Sequence, residues 1–333
     1  MNNLKKVGLT ALAGSLAAIS ANAAEMTVSG ATLLTYTSAD KSEVTGNPFG
    51  MKTNLGFTAS GEVNGYTVSY MQTSVDQFAG MSSARLSVDM GDMGTIAFDQ
   101  GSGSGLGTID DKTPTAAEEI WDGLDGGGSS ATSAGGLVGT TGASGVFNYI
   151  QSYAGVTLNA AARKGSGTKN SDGASSGVGG SAWDFALTGT GDDFGAAGLA
   201  WGLGYGENEV GQATGASGND DHSTVFANYS FGPATAGLQV SRLNFASKSG
   251  TDEQTLAWGI AFNVNENLSL SYGERDVDYQ KGPGTITEKG DGIAVAYTMG
   301  SIKVAGNMND VSNNAGSAGS KDSMTEIAVS FAF

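Results

Sequence analysis

Apolar and polar residues alternate with a period of two in segment after segment of this chain. Met51, Thr53, Leu55, Phe57 and Ala59 fall on one side of an extended stretch, and Lys52, Asn54, Gly56, Thr58 and Ser60 on the other. Successive side chains of a strand point to opposite faces, so each such stretch predicts a strand with one apolar face. Leu256, Trp258, Ile260 and Phe262 repeat the pattern, as do Ile293, Val295, Tyr297 and Met299. The opposing rows are mostly Gly, Ala, Ser, Thr and Asn. A soluble sandwich turns its apolar face to a core. Small hydrated residues on the other face suit a wall with lipid on one side and water on the other.

Sixteen segments of this kind are predicted: 26–37, 51–60, 65–75, 81–90, 95–100, 145–151, 156–164, 181–188, 196–206, 222–231, 235–243, 255–263, 268–275, 290–299, 302–309 and 323–333. Their connections alternate short (61–64, 91–94, 152–155, 232–234, 300–301) with long ones rich in Gly, Ser, Asp and Asn. That rhythm predicts an all-β fold, a 16-stranded antiparallel transmembrane β-barrel with tight turns at one end and long loops at the other. Pro48, Pro114, Pro233 and Pro283 all fall in connections, where the missing N–H breaks no ladder. Tyr36, Tyr66, Trp183, Tyr229, Phe231 and Phe262 on the apolar face are placed to form interfacial girdles. Beyond the N-terminus no run reaches the roughly 18 apolar residues of a spanning helix. A closed barrel is the other form that pairs every backbone group inside hydrocarbon.

The N-terminus reads as an export signal. Lys5 and Lys6 precede an apolar run, 7–19, and Ala21-Asn22-Ala23 offers small residues for cleavage. Cleavage after Ala23 is expected, leaving the barrel as residues 24–333. The chain of 333 residues has 54 Gly and no Cys, so it is not a disulfide-stapled domain. The formal charge of −17 becomes two units more negative, −19, once Lys5 and Lys6 leave. Nucleic acid, which needs a basic surface, is excluded as a partner. One histidine, His222, and no nucleophile elbow argue against a hydrolase. One His and no Cys argue against zinc, and no cofactor is expected. The acidic pairs Asp220 and Asp221, Asp276 and Asp278, and Glu207 and Glu209 are candidate calcium ligands in outer loops. The glycine-rich strings 101–107 and 202–206 lack the βαβ setting of a phosphate cradle.

Val329-Ser330-Phe331-Ala332-Phe333 ends the chain. With sixteen strands and the longest connection between the fifth and sixth, it resembles the general porins of Gram-negative bacteria, especially the alphaproteobacterial type. The resemblance implies that Phe331 and Phe333 form the signal read by the barrel assembly machinery. It implies a homotrimer in outer-membrane lipid and lipopolysaccharide. It also implies that the third outer loop, 101–144, folds inward and narrows the barrel.

Within that loop, 113–125 predicts a helix, capped by Thr113 with Pro114 or by Thr115 with Glu118. Ala117, Ile120, Trp121 and Leu124 would share its apolar face. Glu118, Glu119, Asp122 and Asp125 would share the other, with Asp110 and Asp111 just before it. The resemblance makes these six acids one side of a pore constriction. It makes Lys52, Arg85 and Arg163 the basic side; Arg275 and Lys303 also point inward. The short second loop, 76–80, puts the family's subunit latch in doubt, and 126–136 adds further Gly and Ser.

The reading that follows is a water-filled channel for passive diffusion of small hydrophilic solutes and ions, modestly cation-selective, and not an enzyme. A substrate-specific channel such as a sugar porin would need a row of inward aromatics. A Gly-rich secreted adhesin would not need detergent.

Overall fold

The computed structural model describes residues 25–39, 47–75, 81–124, 145–165, 180–192, 195–209, 218–246, 252–281 and 284–333. The expected leader, the second loop and residues 125–144 lie outside them. Sixteen strands follow one another: β1 Glu25–Ala39, β2 Phe49–Val63, β3 Tyr66–Val75, β4 Met81–Asp89, β5 Thr95–Gln100, β6 Val146–Tyr153, β7 Val156–Arg163, β8 Ala182–Thr190, β9 Leu199–Glu209, β10 Asn219–Phe231, β11 Ala234–Asn244, β12 Glu253–Asn263, β13 Leu268–Lys281, β14 Gly284–Met299, β15 Ile302–Ser312 and β16 Lys321–Ala332. Each pairs antiparallel with its chain neighbours, and β1 pairs with β16 to close the sheet. The seam is sealed by reciprocal backbone bonds, Gly30 N to Phe333 O (2.9 Å) and Phe333 N to Gly30 O (3.0 Å). Closure removes the unpaired edges that would otherwise invite association.

The alternation survives folding in an inverted sense. Val225, Leu238, Leu256, Ile293 and Ile327 are about half exposed, while their neighbours on the other face are small or hydrogen-bonded. No single apolar core exists among the described residues. Two small clusters occur instead, Leu106 with Ile109, Ala186, Phe226 and Leu243, and Leu124 with Val311 and Met324. Both lie on the polar face of the sheet. Among the described residues no helix is long and apolar enough to cross a membrane.

Two expectations need correction. Residues 276–281 and 284–289 are not loop, because β13 runs to Lys281 and β14 starts at Gly284. The apolar row changes face there, Val277 and Tyr279 being buried on the inner side, and the outer side pairs through polar contacts. Thr287 Oγ1 donates to Asp278 Oδ1 at 2.6 Å, and the Lys289 ammonium lies 3.6 Å from Asp276. The second correction is the helix at 113–125, which does not form; residues 113–124 take bends and one tight turn. Tight hairpins form where the short connections were expected. Asn64 (φ 53°) and Gly65 (φ 84°) adopt the paired left-handed geometry that suits strand twist.

Candidate functional site

The segment after β5 lies against the polar face of the sheet, and side chains of the wall hold its backbone. At its start Asp99 accepts from Ser102 N (2.8 Å) and Ser102 Oγ (2.6 Å). The Arg85 guanidinium sits 3.7 Å from Asp99 and donates to Gly103 O (3.0 Å) and to Asn148 Oδ1. A single 3-10 turn, Gly105–Ile109, follows. Gly105 N donates to Asn159 on β7 (2.8 Å), and Leu106 N to Asp184 on β8 (3.0 Å). Gly105 takes φ +56° and approaches Asp184 so closely that a Cβ would overlap that carboxylate.

Three wall amides and a hydroxyl carry the segment onward. Gln239 on β11 donates to Ile109 O and Asp110 O, both at 2.9 Å, and accepts from Lys112 N at 2.6 Å. Asn228 on β10 donates to Lys112 O (2.7 Å). Ser271 on β13 accepts from Ala116 N (2.9 Å). Asn309 on β15 donates to both Glu119 O (3.1 Å) and Asp122 O (2.9 Å). These bonds explain the absent helix. Backbone groups that would pair four residues apart are bonded by the wall instead. The Thr115 hydroxyl, expected to cap a helix, donates to Glu118 O at 2.7 Å.

The helix-spaced apolar residues still face the wall. Trp121 is buried under the Arg275 guanidinium, 4.8 Å from its ring centroid, and Leu124 packs on Val311 and Met324. Arg275 in turn bonds Glu288 at 2.7 Å, a fully buried pair on β13 and β14. Glu288 also accepts from Ala315 N (2.7 Å).

Register gives the wall beneath this segment an unusual surface. Asn228, Gly237, Gly259, Gly273, Gly292 and Asn309 lie directly opposite one another on β10 through β15. The four glycines leave room for the segment. A Cβ on Gly259 would lie 2.7 Å from Pro114 O, and one on Gly237 would lie 2.7 Å from Pro114 Cδ. Cβ atoms on Gly273 and Gly292 would press Ile120 at 3.2 and 3.1 Å.

Four of the candidate acids, Asp110, Asp111, Glu118 and Glu119, are brought together here, and Asp122 lies with Glu326 of β16. Burial, reinforced by the neighbouring charge of Asp111, pushes the Asp110 carboxyl up to about 7. Glu119 is also raised, first by burial and then by Asp111 and Glu118. Asp122 is raised by burial and by Glu326 of β16, against the opposing effect of the Lys52 ammonium. Glu118 is exposed, and Asp125 lies outside the described residues.

The candidate bases separate. Lys52 is exposed on the polar face and acts on Asp122 from across β1 and β16. Arg85 is committed to the start of the segment. Arg163 sits at the end of β7, donating to Gly180 O and Asn208 Oδ1 at 3.4 Å. Phe331 and Phe333 lie at the β16 seam.

His222 is buried on β10 with its ring edge toward Phe245 (6.2 Å). The acidic pairs proposed for calcium sit on strands, not in loops, and have protein partners. Asp221 accepts from Asn244 (2.7 Å), Asp220 from Ala246 N (2.8 Å), and Glu207 from Tyr205 (2.9 Å) and Asn219 (3.0 Å). Among the described residues no group of three or more acids, His or Cys is placed for a metal ion.

Sequence reasoning missed Gln239, Asn228, Ser271, Asn309 and Asp184 as partners of the segment. Their one signal was a larger polar residue in a row of small ones on the polar face.

No family model matches this chain, and no curated protein matches it. Solved structures do. An anion-selective porin from Comamonas acidovorans aligns with TM-score 0.66 at 13% identity, over 93% of this chain and 100% of its own. A mutant of the Rh. blastica porin aligns with TM-score 0.63 at 14% identity, over 93% and 100%. The trimer form of the Vibrio cholerae outer-membrane protein OmpT aligns with TM-score 0.66 at 13% identity, over 93% and 100%. These likenesses establish a shared sixteen-stranded barrel fold.

Proposed function

We propose that the chain is an outer-membrane porin of the general type: a water-filled barrel for passive diffusion of small hydrophilic solutes and ions. The observation that carries this reading is the two-sided wall of a closed sixteen-stranded sheet. Exposed apolar rows on one face suit acyl chains, and small or hydrated residues on the other suit a water-filled lumen. Segment 104–124, held to the polar face, then lies within the lumen and narrows it.

The cation preference rests on charge placement. Asp110, Asp111, Glu118, Glu119 and Asp122 lie on that segment; Lys52 of the wall acts on Asp122, and Lys112 of the segment itself acts on Asp110. The charge of Arg85 is offset by Asp99 at 3.7 Å, and that of Arg163, at the end of β7, by Asp184. Like charges lining a narrow path raise the local concentration of the opposite ion. One porin of this fold is described as anion-selective, so selectivity follows from the lining residues and not from the barrel. A homotrimer is supported by the trimer form of a structural neighbour. The family's alphaproteobacterial type, contact with lipopolysaccharide, and recognition of Phe331 and Phe333 by assembly machinery rest on the sequence pattern.

Swelling of proteoliposomes in graded neutral sugars tests the channel. Small sugars should enter quickly and rates should fall steeply with solute size. Folded protein that admits no sugar would contradict the proposal.

A further inference from the structure

We infer that the register-aligned row Asn228–Gly237–Gly259–Gly273–Gly292–Asn309 is a seat that holds the acidic segment flat against the wall and keeps the passage open, with Asn228 and Asn309 as its positioning residues. The inference rests on the pore reading for its consequence, but the seat itself is a matter of geometry.

Three observations carry it. The four glycines are paired Cα to Cα across β11, β12, β13 and β14, so their alignment is lateral and spans four strands. Glycine costs strand stability and offers no side chain to pack, so four in one row call for a close backbone approach. That approach is clearest at Gly259, where a Cβ would meet Pro114 O first; at Gly237 and Gly292 a Cβ would first meet Oδ1 of Asn228 and Asn309, and at Gly273 Trp258 O, with Pro114 or Ile120 next nearest. Finally, the two residues that end the row are both asparagines, and both donate their amide N–H to carbonyls of the segment. Asn309 binds the carbonyls of Glu119 and Asp122, two of the acids, so it fixes where their side chains start.

The consequence is directional. On the pore reading, a segment released from the seat moves off the wall into the passage. Each lost hydrogen bond should raise the detached population about five-fold. Asn309→Ala removes two. Gly259→Ala is the cleaner probe, since all three atoms nearest its Cβ belong to Thr113 and Pro114 and none to the wall.

The test uses the full chain in two readouts. Amide hydrogen exchange in micelles reads seating, and single-channel current in planar bilayers reads its effect. For both variants, exchange across 109–122 should accelerate while the strands stay protected. Brief closures should become about five-fold more frequent for each of the two bonds lost in Asn309→Ala, and more frequent in Gly259→Ala through the steric push on Pro114, and the reversal potential should move toward zero in both. Unchanged exchange in folded Gly259→Ala would overturn the seat. Faster exchange with wild-type currents would overturn the positioning role. If Asn309→Ala fails to fold, Gly259→Ala decides alone. A wild-type barrel that opens no channel would instead defeat the pore reading, and exchange would still decide the seat.

Discussion

At the scale of single residues, burial and neighbouring charge decide what the acids do. Asp110 is held up to about 7 because its ionised form is desolvated and sits beside Asp111. The sign follows directly. A raised carboxyl is neutral below its pKa, so the lining loses negative charge as pH falls through about 7. The potassium-over-chloride permeability ratio should therefore rise between about pH 5 and about pH 9, and Asp110→Asn should flatten the upper part of that rise. Reversal potentials across the range check it. The Arg275–Glu288 pair makes a second prediction. Arg275→Met leaves the buried Glu288 without its counter-charge, a loss of about 3–5 kcal/mol. The temperature at which the folded barrel loses its compact electrophoretic mobility should fall accordingly. The face on which Lys52, Arg85 and Arg275 sit was legible, because alternation assigns faces. Their partners were not. Arg85 meets Asn148, 63 residues away, only once β4, β5 and β6 are in register.

At the scale of elements, strands could be read and the loop segment could not. A period of two repeats along β2, β12, β14 and β16 and needs no tertiary information to be seen. Its force is measurable. Ile293→Arg puts a charge on the apolar face, a cost of about 2–4 kcal/mol near the bilayer midplane. Asn54→Arg, exposed on the polar face, should change stability by no more than about 0.5 kcal/mol. Folding equilibria in vesicles, measured against denaturant, should separate the two variants by that margin. The segment after β5 carries a helical period in Ala117, Ile120, Trp121 and Leu124, yet no helix forms. Local pattern predicted which residues face the wall, and it did so correctly for Trp121 and Leu124. It failed on backbone pairing, because Gln239, Asn228, Ser271 and Asn309 offer bonds that local sequence does not show. Strand ends were misjudged for a related reason. In 276–281 the alternation inverts, with Val277 and Tyr279 buried on the inner face while Asp276 and Asp278 take the outer one, and the ladder persists to Thr287 and Lys289 on β14.

At the scale of the whole molecule, closure is the property on which function turns. Sixteen alternating segments of even number can roll up with first and last antiparallel, as β1 and β16 do. The count was visible from repetition alone. The aligned glycine row was not, because it depends on five registers at once. The proposed homotrimer, suggested by the trimer form of a structural neighbour, makes a prediction of its own. Chemical cross-linking of the detergent-extracted protein should yield a three-subunit band, and a monomer-only pattern would remove the basis for the trimer. The most direct measurement is single-channel current from the purified, folded chain in a planar bilayer with asymmetric potassium chloride. Discrete, long-lived steps with a nearly linear current–voltage relation and a reversal potential of cation-selective sign are the expected result. A folded barrel that inserts and leaves the bilayer without conductance, or passes chloride in clear preference to potassium, would contradict it.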